Sequence, residues 1–311
     1  GDMLAEKFDR FRKETSIPSY ISSLRDAHIT PIIIGDSHYP KQLAAISDPP
    51  IVLYVKGHRG KELVNWDRAI GVVGTRKMTE YGRQMTEYIV RDLVSAGCPI
   101  ISGMAYGIDA VAHETAISMH GATVAVLGCG VDIIAPSSNY RIYHTLSDTP
   151  GAGAVLSEMP LGLRPGKGLF PARNRIISGL SRGVVVIEGA EDSGALITAR
   201  YAAEQGRDVF AVPGDVRSPT SRGVNALLKN GATLIESGAD ILAAYSIPVR
   251  PSRATISVPE SLSPVGKAIF THIEAHGPTS VDELIRVLGY PSSDILSEIS
   301  LLEISGSVRD H

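Results

Sequence analysis

The stretch AIGVVGTRKMTEYGRQMTEYIVRDLVSAGCPIISGMAYG, residues 69–107, decides the fold. It opens on a short apolar run, Ile70 to Val73, closed by Gly74, as a strand buried on both faces reads. Tyr81 to Gly97 is amphipathic with a helical period and ends on glycine, the residue type that closes helices. A second apolar run, PIISG, follows at once. Strand, helix and strand in that order form a βαβ unit, whose two strands are parallel and whose crossover is right-handed.

The same alternation continues downstream. TVAVLG, AVLSE, GVVVIEG, DVFAVPG and ATLIE read as strands, and IDAVAHETAISMHG, GALITARYAAEQG, GVNALLKNG and GADILAAY as helices. Short Val/Ile/Leu runs separated by helices predict an α/β fold, an extended Rossmann-like doubly wound and mainly parallel sheet covered on both faces. Four regions are expected. Residues 1–66 form an N-terminal extension of short helices and strands, and 67–245 the Rossmann-like domain. Residues 246–263, with Pro248, Pro251 and Pro259, form a linker, and 264–311 a small winged-helix-like domain. Within the last, Pro264 follows Ser263 at a helix start, and Ser280 with Glu283 has the spacing of a capping box. The strand beginning at SVRDH stops where a wing would continue.

Composition narrows the function classes. A chain of 311 residues with 43% apolar and 20% charged residues is an ordinary globular protein. Its formal charge of −3 argues against blanket affinity for nucleic acid, so any polyanion site is local. Cys98 and Cys129 are too few for a disulfide framework and predict reduced thiols and a cytoplasmic location. No apolar run reaches the length of a membrane helix.

In an open parallel sheet, ligands bind beyond the carboxyl ends of the strands. Those ends carry Gly74-Thr75-Arg76-Lys77, Ser102-Gly103, Gly128 and Ser193-Gly194, small residues ahead of helix N-termini that suit phosphates. The nucleotide motifs fail. GCGVDI and GAGAVL lack the dinucleotide fingerprint, and no Walker lysine follows a glycine loop. GLSRG around Ser181 precedes a strand, whereas a nucleophile elbow follows one. Asp109 and His113 share a helix face without further ligands, so no metal is expected, nor any cofactor. Glu188, Glu191 and Asp192 fit either acid–base groups or a solvated strand end.

One segment departs from the rest. Arg164, Lys167, Arg173, Arg175 and Arg182 lie between Glu158 and Glu188 with no acid among them. Pro171 suits a first helical position, which puts Arg173, Asn174 and Arg175 in the first turn and Phe170 just ahead of it. Cations at a helix N-terminus are misplaced unless an anion binds there. Two readings remain open: Phe170 and the cations serve a single nucleic-acid strand, or Phe170 caps the core and the cations are a solvated face.

GVVGTRKMTEYG, IISGMAYGIDAVAHETAISMHGATVAVLGCGVDIIAP, LSEMP, FPARNRIISGLSRGVVVIEG, SGALITA and VFAVPGD, in this order, resemble the DprA (Smf) family of DNA-processing proteins, over about residues 38–245. The resemblance implies an extended Rossmann fold and a nonenzymatic binder of single-stranded DNA. It also implies loading of RecA recombinase onto incoming strands in natural transformation, and a homodimer through the Rossmann-like domain. Carried over by position, Arg76 clamps a phosphate, Lys167 contacts the backbone and Phe170 stacks on a base. Gly74, Thr75, Ser102 and Gly103 help line the pocket. Beside the resemblance, the reading of the residues themselves offers Arg173, Asn174 and Arg175 as further strand contacts and Gly128, Ser193 and Gly194 as further members of the phosphate pocket. Two departures stand out. Ser137 occupies a place where many relatives carry a basic residue, and the region before the YP segment is short for the family's helical domain.

The last predicted helix, SSDILSEISLLEISG, carries Asp294, Glu298 and Glu303 and no Lys or Arg, so it is expected to contact protein rather than duplex DNA. The rival reading is a phosphoribohydrolase-like enzyme acting on a nucleoside monophosphate, with Glu188 or Glu191 as acid–base group. SGALIT stands where such enzymes carry PGGxGT, which counts against it.

Overall fold

The computed structural model describes residues 16–57, 64–166, 168–248, 262–276 and 279–304. Nine strands form one sheet: β1 (Ile29–Ile33), β2 (Val52–Gly57), β3 (Ile70–Val73), β4 (Ile100–Ser102), β5 (Thr123–Leu127), β6 (Gly153–Ser157), β7 (Gly183–Val186), β8 (Asp208–Ala211) and β9 (Thr233–Leu234). Their order is β1-β2-β6-β5-β4-β3-β7-β8-β9. From β3 the chain winds outward through β4, β5 and β6, then returns to β3's other side with β7 and winds away through β8 and β9. All of these pairs are parallel. The winding reverses between β3 and β7, and that is where a doubly wound sheet leaves a crevice.

Side chains of single strands divide between two cores, as burial on both faces demands. Val184 and Val186 pack in one core with Leu43, Ile176, Ile177 and Leu180, while Val185 and Ile187 pack in the other with Ile89, Val90 and Leu93. The first helices are α1 (Ile17–Asp26) and α2 (Lys41–Ala44). The crossover helices are α3 (Glu80–Ser95), α4 (Ile108–Ser118), α5 (Tyr140–Asp148), α6 (Leu169–Leu180), α7 (Gly194–Glu204) and α8 (Arg222–Lys229), and α9 (Gly238–Ala244) follows the last strand. Helix α3 starts where the Thr79 hydroxyl accepts from the Gly82 N–H, and Gly97 turns the chain away from its end at a φ of 77°.

Three features differ from the sequence expectation. Strands β1 and β2 come from the region read as a separate extension, yet β2 pairs antiparallel with β6 and β1 with β2. Pro31 sits on the edge strand β1, a position where a missing N–H costs no ladder bond. Helix α5 was not anticipated, although Ile142, Tyr143 and Leu146 supply its buried face. Helix α6 begins at Leu169, so Phe170 lies inside the first turn rather than ahead of it.

Division by contacts falls between Arg250 and Pro251. The second unit holds α10 (Pro264–His276), α11 (Val281–Leu288) and α12 (Ser292–Ile304), packed around Ile269, Leu284, Ile295 and Leu302. The Ser263 hydroxyl accepts from the Gly266 N–H and the Ser280 hydroxyl from the Glu283 N–H, the serine half of the box expected there. The expected wing strand and most of the expected linker lie outside the described residues. Among the described residues, no helix is long and apolar enough to cross a membrane. Cys98 and Cys129 are buried and free.

Candidate functional site

A cavity of about 600 Å³ opens at the carboxyl ends of β3 and β7, at the reversal point of the sheet. The loop after β3 supplies Gly74, Thr75, Arg76 and Lys77, the first two turns of α6 supply Phe170, Arg173 and Asn174, and the cap and first residue of α7 supply Ser193 and Gly194. The structure therefore gathers these sequence-chosen residues around one space. Asp109 and Asp192 line it as well and were not among the chosen binding residues.

The β3 loop is pinned by its backbone. Thr75 N–H donates to the Glu188 carbonyl at 2.8 Å, and its own carbonyl accepts from Ile108 N–H at 3.2 Å. Beyond that anchor Arg76 and Lys77 are exposed, and no ion pair among the described residues includes either. The Arg76 guanidinium carbon lies 5.1 Å from the centroid of the half-buried Phe170 ring. Ser193 caps α7, its hydroxyl accepting from Ala195 N–H at 3.3 Å.

Other members of the presumed pocket serve packing. Ser102 is fully buried and donates to the Val72 carbonyl at 2.6 Å, tying β4 to β3. A Cβ on Gly74 would come within 2.5 Å of Ile108, so this glycine is there for α4 as well as for the cavity. Gly128 lies behind Phe170, where a Cβ would stand 3.4 Å from the ring. Ser102, Gly103 and Gly128 do not line the cavity. Lys167 lies outside the described residues.

The expectation of a run of unopposed cations is corrected at Arg173 and Arg175. Arg175 is 8% exposed and reaches acids remote in sequence. Its Nε donates to Asp48 at 2.9 Å, and its Nη1 and Nη2 donate to the two Glu158 oxygens at 2.9 and 2.7 Å. Arg173 is 5% exposed, and its Nη1 donates to the carbonyls of Gly103, at 2.6 Å, and Val126. Asn174 is 8% exposed and donates to the Gly194 carbonyl at 3.2 Å. All three are engaged inside the protein, and Arg175 does not line the cavity.

Below the cavity, the Asp109 carboxylate accepts from Gly103 N–H at 3.1 Å and Ala105 N–H at 3.4 Å. Burial pushes this carboxyl above its ordinary range, against the pull of Arg173 and the two N–H groups. His113, four residues on, is fully buried with Nδ1 2.7 Å from the Thr123 hydroxyl. Burial, helped by the Arg173 charge, lowers it to about 3, so it stays neutral. Among the described residues no group of three or more His, Cys, Asp or Glu side chains could hold a metal.

Glu188 is 2% exposed, and its carboxylate accepts from Thr79 N–H at 2.9 Å and from the Thr79 and Thr220 hydroxyls at 2.7 and 3.2 Å. It anchors the start of α3 and lines a separate cavity with Tyr81 and Asp215. Glu191 is exposed. Chemically, the main cavity brings together Arg76 and Lys77, which are in no ion pair among the described residues, and one half-buried aromatic ring, with the Asp109 and Asp192 carboxylates also on its wall.

Residues 30–246 match the family described as DNA recombination-mediator protein A, and residues 253–311 match the DprA winged helix domain. The chain is 36% identical over 306 residues to Protein Smf of Synechocystis, covering 88% of this chain and 76% of that protein. It is 41% identical over 225 residues to the DNA processing protein DprA of Bacillus subtilis, covering 72% and 74% respectively. The X-ray structure of DprA from Streptococcus pneumoniae aligns with a TM-score of 0.67 at 37% identity, over 76% of this chain and 80% of that one. A structure of DNA processing protein A from Helicobacter pylori, reported for its single-stranded DNA binding mode, aligns with a TM-score of 0.62 at 28% identity, over 70% and 95%.

Proposed function

The chain belongs to the DNA recombination-mediator protein A family (DprA, or Smf), and on that premise we propose that it binds single-stranded DNA in the cavity between β3 and β7 without catalysing a reaction on it. One observation carries the reading: exposed Arg76, in no ion pair among the described residues, stands 5.1 Å from the centroid of the Phe170 ring that lines the same cavity. Phosphate is a stronger partner for a guanidinium than a ring face is. A base that takes the ring hands Arg76 to the neighbouring phosphate. Stacking on an aromatic contributes about 1–3 kcal/mol per base and tolerates any sequence, as a general strand binder requires. Lys77 and Lys167 add charge along the backbone.

In the same reading the protein shields incoming strands and loads RecA recombinase onto them during natural transformation, as a cytoplasmic homodimer joined through the sheet-bearing unit. Dimers placed along a strand would cover more of it than one small cavity can. Engagement of both Glu188 oxygens with Thr79 and Thr220 weighs against the nucleoside-monophosphate hydrolase alternative, because that acid is already in use.

Fluorescence anisotropy of a labelled oligonucleotide and its duplex, titrated at several salt concentrations, tests the binding. Tight, salt-dependent binding of the single strand and weak binding of the duplex support the reading. Stabilisation by AMP with no strand binding contradicts it. Loading is tested by the RecA ATPase on strands precoated with single-strand-binding protein, where addition of this protein shortens the lag.

A further inference from the structure

We infer that Arg173 is a positioning residue for strand binding, acting through Phe170 rather than through a phosphate; this rests on the function proposed above. Four observations carry it. Arg173 is 5% exposed, and one guanidinium nitrogen bridges the carbonyls of Gly103, after β4, and Val126, in β5. Asp109 holds the N–H groups of Gly103 and Ala105, so Gly103 is gripped at its N–H by Asp109 and at its carbonyl by Arg173. Arg173 follows Phe170 by three positions, so the two share one face of α6 a turn apart. Its Nε also donates to Asn174 Oδ1 at 3.3 Å, and Asn174 reaches the Gly194 carbonyl on the opposite wall.

Arg173 thus joins α6 to the ends of two strands, and indirectly to the start of α7. A guanidinium that is 5% exposed, with Nη1 and Nε already donating inside the protein, is poorly placed to meet a phosphate. What it fixes is the height and tilt of the turn that presents Phe170. Gly103 is part of the device, since a Cβ there would lie 2.5 Å from the guanidinium carbon. A methyl group there would have to displace the guanidinium from its seat on the two carbonyls.

The experiment uses the full chain and an oligonucleotide carrying 2-aminopurine, whose quenching reports stacking, beside anisotropy across a salt series. Arg173→Lys keeps the buried charge and loses the planar fork, so its expected affinity loss is about tenfold, the scale of a stacked base. Its salt slope stays that of wild type, its quenching falls toward that of Phe170→Ala, and the double variant loses no more than Phe170→Ala alone. Gly103→Ala is expected to reproduce this pattern and carries the test where Arg173→Lys does not fold. Three results overturn the inference. One is a slope reduced by about 0.7, the signature of a lost phosphate contact. Another is unchanged affinity and quenching in a less stable protein, which marks a purely structural role. The third is additive losses in the double variant. Absence of strand binding in the wild type is a different outcome: it removes the proposed function, and this inference with it.

Discussion

Arg76 and Phe170 meet with the guanidinium carbon 5.1 Å from the ring centroid, although one stands on the loop after β3 and the other on the first turn of α6. The pairing depends on the sheet order, because β3 and β7 are neighbours only where the winding reverses. A cation and a ring that line the same cavity are a ready contact for a phosphate and its base.

Removing the ring separates stacking from charge. Phe170→Ala is expected to cost about 1–3 kcal/mol of strand affinity while leaving the salt slope as in wild type. Phe170→Trp is expected to retain affinity. Anisotropy titrations at several salt concentrations check both.

Arg175 is expected to matter for stability and not for the strand. Its side chain is 10% exposed against Glu158 at 25% and Asp48 at 79%. Breaking a fully buried pair costs about 3–5 kcal/mol, and the wetter acids here bring the expectation to about 2 kcal/mol for Arg175→Ala. Denaturant unfolding measures that loss, with strand affinity unchanged at a temperature where the variant is folded.

His113 gives the fold a pH dependence whose direction is fixed. Its folded value is lowered to about 3 from an ordinary 6.5, so the unfolded chain binds the extra proton between those limits. The contribution is complete above pH 6.5 and is lost as pH falls toward 3, at up to about 1.4 kcal/mol per pH unit. His113→Asn keeps a partner for the Thr123 hydroxyl and removes the titration. Between pH 6.5 and 4 its unfolding free energy is expected to fall less steeply than that of wild type, as urea titrations at each pH would show.

The acidic last helix predicts a small role in strand binding. Asp294 is exposed on α12, which carries no Lys or Arg. A chain lacking residues 264–311 is expected to bind a single strand within about twofold of full length, because a cation-free helix releases few counterions. A loss of tenfold or more on truncation would show that the helical unit contributes directly.

How far the sequence could be read followed the distance over which each feature is determined. The parallel sheet was legible because each βαβ unit carries its own signature in consecutive residues, as from Ile70 to Ser102. The position of Arg76 at a strand end was legible for the same reason. The fate of the cation run was not. No acid lies between Glu158 and Glu188 in the chain, but the partners of Arg175 are Asp48 and Glu158, brought together only by the fold. Arg173 finds two backbone carbonyls, which no count of charges reveals. Short strands were expected before residue 66, but their place in the sheet was not legible, because antiparallel pairing needs no helical crossover to announce it. The start of α6 moved two residues because Pro171 fits the first turn at more than one place.

The most direct test of the account is the salt dependence of single-strand binding by Arg76→Ala beside wild type, in one buffer series. The account predicts weaker binding at every salt concentration and a slope of log affinity on log salt shallower by about 0.7, one phosphate contact on a single strand. Equal affinity and equal slope would contradict it, and the cation over Phe170 would then be a surface contact rather than the clamp of a strand.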